Sequence, residues 1–235
     1  MISMVAVAVI GDEILLGEVV DRNLAWISGE LFRLGVDLRY SCVLPDDLPF
    51  IVQHLRWMKE KFEWVITTGG IGATHDDLTR TAVAQVFKVP LIEHPEVIAA
   101  LEEKLGAPLT PRLRQLAMLP SGVLLIPNPG SAAPGFLMGN VAALPGIPSM
   151  VRSMFPYISR KMTGEIIHSE EFFTTRFESQ IADVLEEIQG DYPRVKIGSY
   201  PVTSGGEFRV RLVLRSRSSE MLKKAFEDVR RRVDS

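Results

Sequence analysis

Two adjacent carboxylates, Asp76 and Asp77, follow the run Gly69-Gly70-Ile71-Gly72-Ala73-Thr74-His75 and precede Leu78-Thr79. Ahead of the glycines stand Trp64, Val65, Ile66, Thr67 and Thr68, and beyond them Ala82, Val83, Val86 and Phe87 recur at helical spacing. A strand that stops at glycines and restarts as a helix aims unpaired backbone N–H groups at one spot, which favours an anion there. Two carboxylates beside an anion ask in turn for a cation. The stretch therefore reads as a place where a phosphate is handled together with a metal. Its donors would be the amides of Gly69, Gly70 and Gly72 and the hydroxyls of Thr74 and Thr79, joined by Ser131 from farther along the chain. Asp76 or Asp77 would serve as a hard-oxygen ligand or as a base for water. The competing reading is that either aspartate caps the following helix.

Other acids stand in similar places. Asp12-Glu13 ends the apolar, β-branched run 5–10, and Asp46-Asp47 ends the run 36–44. Asp12 is a candidate metal ligand or, with Glu13, a solvated loop acid. Asp46 is a candidate site acid, and either Asp46 or Asp47 can cap the helix whose apolar face is Ile51, Val52, Leu55 and Met58. His75 reads as exposed, Arg112 and Arg114 as ordinary helix charges, and Trp26, Trp57 and Trp64 as core residues.

The elements that must position these groups alternate strand and helix with short links up to residue 87. That order predicts an α/β unit with a parallel sheet covered on both faces, in which ligands sit beyond the carboxyl ends of the strands. Asn23 is expected to cap a helix carrying Leu24, Ile27, Leu31 and Leu34. Helices are expected over 95–105 and 111–118, a strand over 123–126, and a hairpin over 136–144 turning at Gly139-Asn140. After Gly164 the texture changes to β-α-β-β-α, with a turn at Gly205-Gly206, which predicts a small α+β domain. The domains are thus expected at 1–163 and 164–235. Arg230, Arg231 and Arg232 read as a solvated helix end favoured by the helix dipole rather than a basic patch.

The chain has 235 residues, nearly half of them apolar, and a formal charge of −3, which gives no overall basis for binding nucleic acid or an anionic membrane. Cys42 is the only cysteine, so neither an internal disulfide nor a cysteine-rich zinc site is available, and it reads as a small buried hydrophobe. The first residues lead directly into a strand without a basic leader, and no apolar run reaches the about 18 residues of a membrane span. A cytoplasmic setting is expected.

Four ordered motifs carry a family resemblance. Gly69 to Thr79 resembles the G-G-x-G-P-T-x-D-D-x-T motif of the molybdopterin-binding-like domain found in molybdenum cofactor biosynthesis proteins and in CinA. Gly11-Asp12-Glu13-Ile14-Leu15-Leu16-Gly17 resembles the opening of the CinA branch, and the blocks Asn128 to Gly135 and Leu144 to Pro148 are similar to two further motifs in the same order. Glu178-Ser179-Gln180-Ile181-Ala182 and Ile197-Gly198-Ser199-Tyr200-Pro201 resemble the segment that follows this domain in CinA and in the front half of animal FAD synthases. The sequence departs from the pattern at Ala73, where proline is usual, and at Ser149-Met150-Val151, where a glutamate normally follows.

The resemblance implies a parallel-rich three-layer α/β sheet of the molybdopterin-binding-like type followed by a small α+β domain. It implies a stand-alone front half without the deamidase or adenylyltransferase modules of the longer proteins. The implied activity is hydrolysis of a dinucleotide pyrophosphate such as ADP-ribose or FAD, dependent on cobalt, nickel or magnesium, with potassium as a further cation. Asp46 and Asp77 match the functional aspartates of the molybdopterin adenylyltransferase relatives. Asp76 and Asp12 are the expected metal ligands, and Gly135 and Gly146 join the ligand-binding residues named above. The ligand is expected to be a nucleotide or a pterin phosphate, and the protein a homo-oligomer. Two other functions compete: a molybdenum cofactor binding protein without hydrolase activity, and a non-catalytic interaction protein.

Overall fold

In chain order the first part of the computed structural model runs β1 (Met4–Ile10), α1 (Asp12–Leu15), α2 (Asn23–Arg33), β2 (Asp37–Leu44), α3 (Leu48–Lys61), β3 (Trp64–Thr68), α4 (Thr79–Phe87) and β4 (Leu91–Glu93). It continues with α5 (Pro95–Leu105), α6 (Pro111–Arg114), a 3-10 turn over Gln115–Ala117, β5 (Met118–Pro120), β6 (Leu124–Ile126), β7 (Gly135–Met138), β8 (Val141–Leu144) and α7 (Pro148–Ser159). The structure describes residues 2–204 and 207–233. The chain divides into two compact units, Met1–Gly164 and Glu165–Ser235.

The strand β1 sets the architecture of the first unit because it is apolar on both faces. Val5 and Val7 join one core layer with Ile27 and Leu31 of α2 and Val151, Met154 and Ile158 of α7. Ala6, Ala8 and Ile10 join the other, with Ile51, Leu55 and Met58 of α3 and Ala82, Val83 and Val86 of α4. A strand covered twice reads as an unbroken apolar run, and the result is a three-layer α/β/α arrangement. The sheet order is β2-β1-β3-β8-β7-β6. The first four strands are parallel, and β7 runs antiparallel to both β8 and β6. Phe136, fully buried in β7, sits where the mixed sheet meets the α3/α4 layer. Phe136→Ala is expected to destabilise the unit by about 3–5 kcal/mol, read by denaturant unfolding followed through tryptophan fluorescence.

Several local expectations need correction. Residues 12–15 form a helical turn, α1, with Asp12 and Glu13 in it, not a loop. Asn23 does not cap α2. The Asp21 carboxylate does, accepting from the N–H groups of Asn23 (3.1 Å) and Leu24 (2.9 Å). Leu34 lies past the end of that helix and is exposed. The helix expected over 111–118 stops early because Met118–Pro120 pairs antiparallel with Leu91–Glu93, a tertiary ladder that overrides local helical pattern. Trp57 is partly exposed and packs edge-on against Tyr40 at 4.9 Å.

The second unit is β9 (His168–Thr174), α8 (Glu178–Asp191), β10 (Lys196–Ser204), β11 (Glu207–Ser216) and α9 (Ser219–Val233). Its antiparallel sheet has the order β10-β11-β9. Ile181 and Ile188 of α8 and Leu222, Ala225, Val229 and Val233 of α9 pack on Val210, Leu212 and Leu214 of β11, so both helices cover one face. The expected turn at Gly205-Gly206 lies outside the described residues. Arg231 pairs with Asp228 and Arg232 with Glu187 at the end of α9. Among the described residues, no helix is long and apolar enough to cross a membrane.

Candidate functional site

The carboxyl ends of β1, β2, β3 and β8 open onto a cavity of ≈ 840 Å³ in the first unit. The chain leaves β1 for β2 on one side and reaches β3 on the other, so the cavity stands at the switch point where a parallel sheet leaves a crevice. Three motif-bearing loops reach it, Gly11 and Glu13 after β1, Gly69 to Gly72 with Asp76 and Asp77 after β3, and Gly146 to Pro148 after β8, together with Asp46 after β2. Asn128, Ser131, Ala133 and Pro134 close it from the segment between β6 and β7.

The glycine loop is tied on several sides. Gly69 has φ +97°. Its N–H donates to the Leu144 carbonyl at 3.1 Å and its carbonyl accepts the buried Thr79 hydroxyl at 2.9 Å. Asp77 does not cap α4; the residue before the helix, Leu78, makes no side-chain cap. The Asp77 carboxylate instead folds back on its own loop, accepting from Gly72 N–H at 2.6 Å, from Thr74 N–H at 2.7 Å and from the Thr74 hydroxyl. Of the three glycine amides expected to hold a phosphate, Gly69 is therefore used by the sheet and Gly72 by Asp77. The Gly70 N–H is taken by neither. Beneath the loop lies Arg80, which is almost fully buried and donates to the carbonyl oxygens of Ile71 and Gly72.

A second group of acids gathers around Asp46. The Asp12 N–H donates to Asp46 Oδ2 at 3.0 Å and the Asp46 N–H to Asp12 Oδ1 at 3.2 Å, a reciprocal clasp between the ends of β1 and β2. Asp47, next along, is the cap of α3, accepting from Phe50 N–H at 2.8 Å. The Asp46 carboxyl is pushed above the ordinary carboxylate range, first by burial and then by the charges of Asp12, Glu13 and Asp76, against the lowering effect of its bond from Asp12 N–H. Asp76 is exposed and held below that range, chiefly by the neighbouring Thr74 hydroxyl. Among the described residues, no three His, Cys, Asp or Glu side chains converge into a ready metal cage. A hard divalent ion such as magnesium does not need one, since it commonly takes one or two carboxylates and completes its shell with water and substrate phosphate. The donor set around Asp46 fits that pattern.

On the opposite wall Asn23 Nδ2 donates to the Gly146 carbonyl at 2.7 Å, which ties the start of α2 to the loop after β8. Gly146 in turn lies against Gly69, since a Cβ built on it would sit 3.6 Å from the Gly69 Cα. Asn23 Oδ1 and the Thr68 hydroxyl are buried without a hydrogen-bond partner, and both residues belong to the cavity wall. There the wall keeps unused hydrogen-bonding capacity.

Of the residues singled out from sequence, Asp46, Gly69, Gly70, Gly72, Asp76, Asp77, Ser131 and Gly146 line one cavity, whereas Asp12, Thr74, Thr79 and Gly135 do not line it. Thr79 is consumed by Gly69, and Gly135 begins β7, where a Cβ would come within 2.5 Å of the Ala143 carbonyl. His75 is exposed, 3.9 Å from Asp76. Burial raises the Cys42 thiol pKa, in keeping with an unreactive half-buried side chain. Arg80 and Asn23 escaped the sequence reading as site residues. The signal for Arg80 was its place three residues before Val83, a charge on the buried stripe of α4.

The profile described as "Probable molybdopterin binding domain" matches residues 6–163, and "FAD synthase, middle domain" matches residues 166–235. A CinA-like protein of Picosynechococcus is 33% identical over 236 residues, covering 94% of this chain and 56% of that protein. One from Gloeobacter violaceus is 34% identical, covering 88% of this chain and 51% of that protein. The chain thus spans about half the length of these relatives. The crystal structure of CinA from Thermoplasma acidophilum superposes with a TM-score of 0.64 at 30% identity, covering 68% of this chain and 98% of that one. With the motif-bearing loops gathered at one sheet end and the domain profile matched over residues 6–163, this chain belongs to the CinA-like family.

Proposed function

We propose that the cavity binds a dinucleotide pyrophosphate, of the ADP-ribose or FAD type, as a complex with a divalent cation and hydrolyses it. The observation that carries this reading is the charge of the wall. Glu13, Glu18, Asp21, Asp46, Asp76 and Asp77 line the cavity, with Arg22 as the one basic side chain among the described lining residues. A bare pyrophosphate is repelled by such a wall, whereas a glycine loop at a strand end suits one whose charge is already neutralised. Magnesium, cobalt or nickel, when bound, would supply that neutralisation, with Asp76 and Asp12 as the side chains to hold it.

The chain's own groups then have distinct parts. The Gly70 N–H is available to the phosphate, and Asp77 keeps the loop in shape. Asp46, whose pKa is raised, is the candidate base for the attacking water. Water oxygen bonds to phosphorus, its proton passes to Asp46, and the bridging P–O bond breaks with its electron pair on the departing phosphate. The products are AMP and ribose 5-phosphate, or AMP and FMN. Purified protein given ADP-ribose or FAD with magnesium, cobalt or nickel is expected to release AMP, and a chelator to abolish release. Well-folded protein that releases none with any of these metals and dinucleotides would sink the reading.

The profile matched by the first unit favours a second reading, a pterin phosphate held without hydrolysis. Its expected result is tight, stoichiometric pterin binding with no pyrophosphatase activity.

A further inference from the structure

Arg80 follows Thr79 on the buried face of α4 and is only 6% exposed, an expensive place for a full charge unless its donors are used. One terminal nitrogen donates to the Ile71 carbonyl oxygen and the other to that of Gly72. In a trans peptide the carbonyl and the next N–H point in opposite directions. Fixing these two carbonyls on the inner side therefore turns the N–H groups of Gly72 and Ala73 away from Arg80. The Gly72 and Thr74 N–H groups do meet an anion on that outer side, the Asp77 carboxylate, at 2.6 and 2.7 Å. The loop is thus a concave row of donors already shaped around a negative charge, the arrangement of a backbone anion nest. Gly72 and Asp77 both line the cavity, whereas Arg80 does not, so the guanidinium lies behind the nest rather than in it.

We propose that Arg80 is the positioning residue of this loop: by holding the Ile71 and Gly72 carbonyls inward it keeps the Gly72 N–H on the Asp77 carboxylate and so fixes the loop from which the Gly70 N–H meets a phosphate of the ligand. The part concerning the phosphate rests on the nucleotide reading above; the part concerning the loop does not. Arginine suits the task because a planar fork reaches two carbonyls at once, which a lysine ammonium does not reproduce.

The test uses the full chain carrying Arg80→Met or Arg80→Lys, with two readouts. Backbone amide hydrogen exchange at Gly72 and Thr74 reports loop order without any ligand, and calorimetry with AMP and magnesium reports binding. In folded R80M, exchange at these two amides is expected to speed up by about tenfold or more, with the amides of β1 and β3 unchanged. AMP affinity is expected to fall by about tenfold or more, and R80K to recover only part of both. Unchanged exchange in folded R80M overturns the proposal, and so does faster exchange with unchanged AMP affinity. Should R80M not fold, R80K decides by the same readouts: wild-type behaviour in both overturns the proposal and a loss in both supports it. Wild-type protein that binds neither AMP nor ADP-ribose with any divalent metal defeats the nucleotide reading, while the exchange result still decides whether Arg80 holds the loop.

Discussion

Asp46→Asn is expected to lower metal-dependent AMP release by about 10²–10⁴-fold, the range of a lost general acid–base group, without loss of fold. Asparagine keeps an oxygen that can accept the Asp12 N–H, so the clasp between the ends of β1 and β2 survives. It cannot take a proton from water as a carboxylate does. The stability consequence has a definite sign. Burial, and then Asp12, Glu13 and Asp76, raise the Asp46 pKa above its ordinary 3.8, so the folded chain holds that proton to higher pH than the unfolded chain. Stability therefore falls as pH rises from 3.8 through the raised value, and above that window the ionised Asp46 is a net burden. The Asn variant lacks that burden. Its Tm at pH 7 is expected to equal or exceed the wild-type value, and the difference to vanish below pH 3.8, where both side chains are neutral. Full activity in the variant would remove Asp46 from the chemistry, and a clearly lower Tm at pH 7 would contradict the electrostatic account.

The second large effect belongs to Gly69. Its φ of +97° is one that side-chain-bearing residues rarely adopt, and a Cβ there would overlap the Ile10 carbonyl oxygen at the end of β1. The residue cannot move aside, because its N–H is bonded to Leu144 of β8 and its carbonyl to the Thr79 hydroxyl of α4. Gly69→Ala is therefore expected to cost about 1–3 kcal/mol from backbone conformation alone, with the overlap adding to it. At roughly 2–4 °C per kcal/mol for a unit of this size, Tm should drop by several degrees or more. Trp26, Trp57 and Trp64 all lie in the first unit, so tryptophan fluorescence follows its unfolding directly. The same variant is expected to lose cavity function even where it remains folded, because relief of the overlap must separate β1 from the loop. An unchanged Tm would show that the loop can shift without disturbing the sheet.

Much of the fold could be read directly from the chain. The unbroken apolar run of β1 announced a strand covered on both faces, and the alternation up to α4 announced the parallel sheet. The β-α-β-β-α order of the second unit is likewise as expected. These features are local: a period of apolar residues or a glycine at a strand end carries its physical meaning without knowledge of the partners. The failures occurred where a distant partner decided the outcome. Met118–Pro120 became a strand because Leu91–Glu93 lay alongside, and Asn23 reached for Gly146 because Asp21 had already filled the cap.

The candidate site divides in the same way. By itself the sequence determined which residues stand at the carboxyl ends of the parallel strands, and hence that several acids and a glycine loop share one sheet end. Only the tertiary structure decided which way each group turns. It gave Asp77 to the amides of its own loop, left Asp46 among Asp12, Glu13 and Asp76, and put the charge of Arg80 behind the glycines. The physical reason is competition: a carboxylate or an amide goes to the partner that folding brings nearest, and spacing along the chain does not contain that distance.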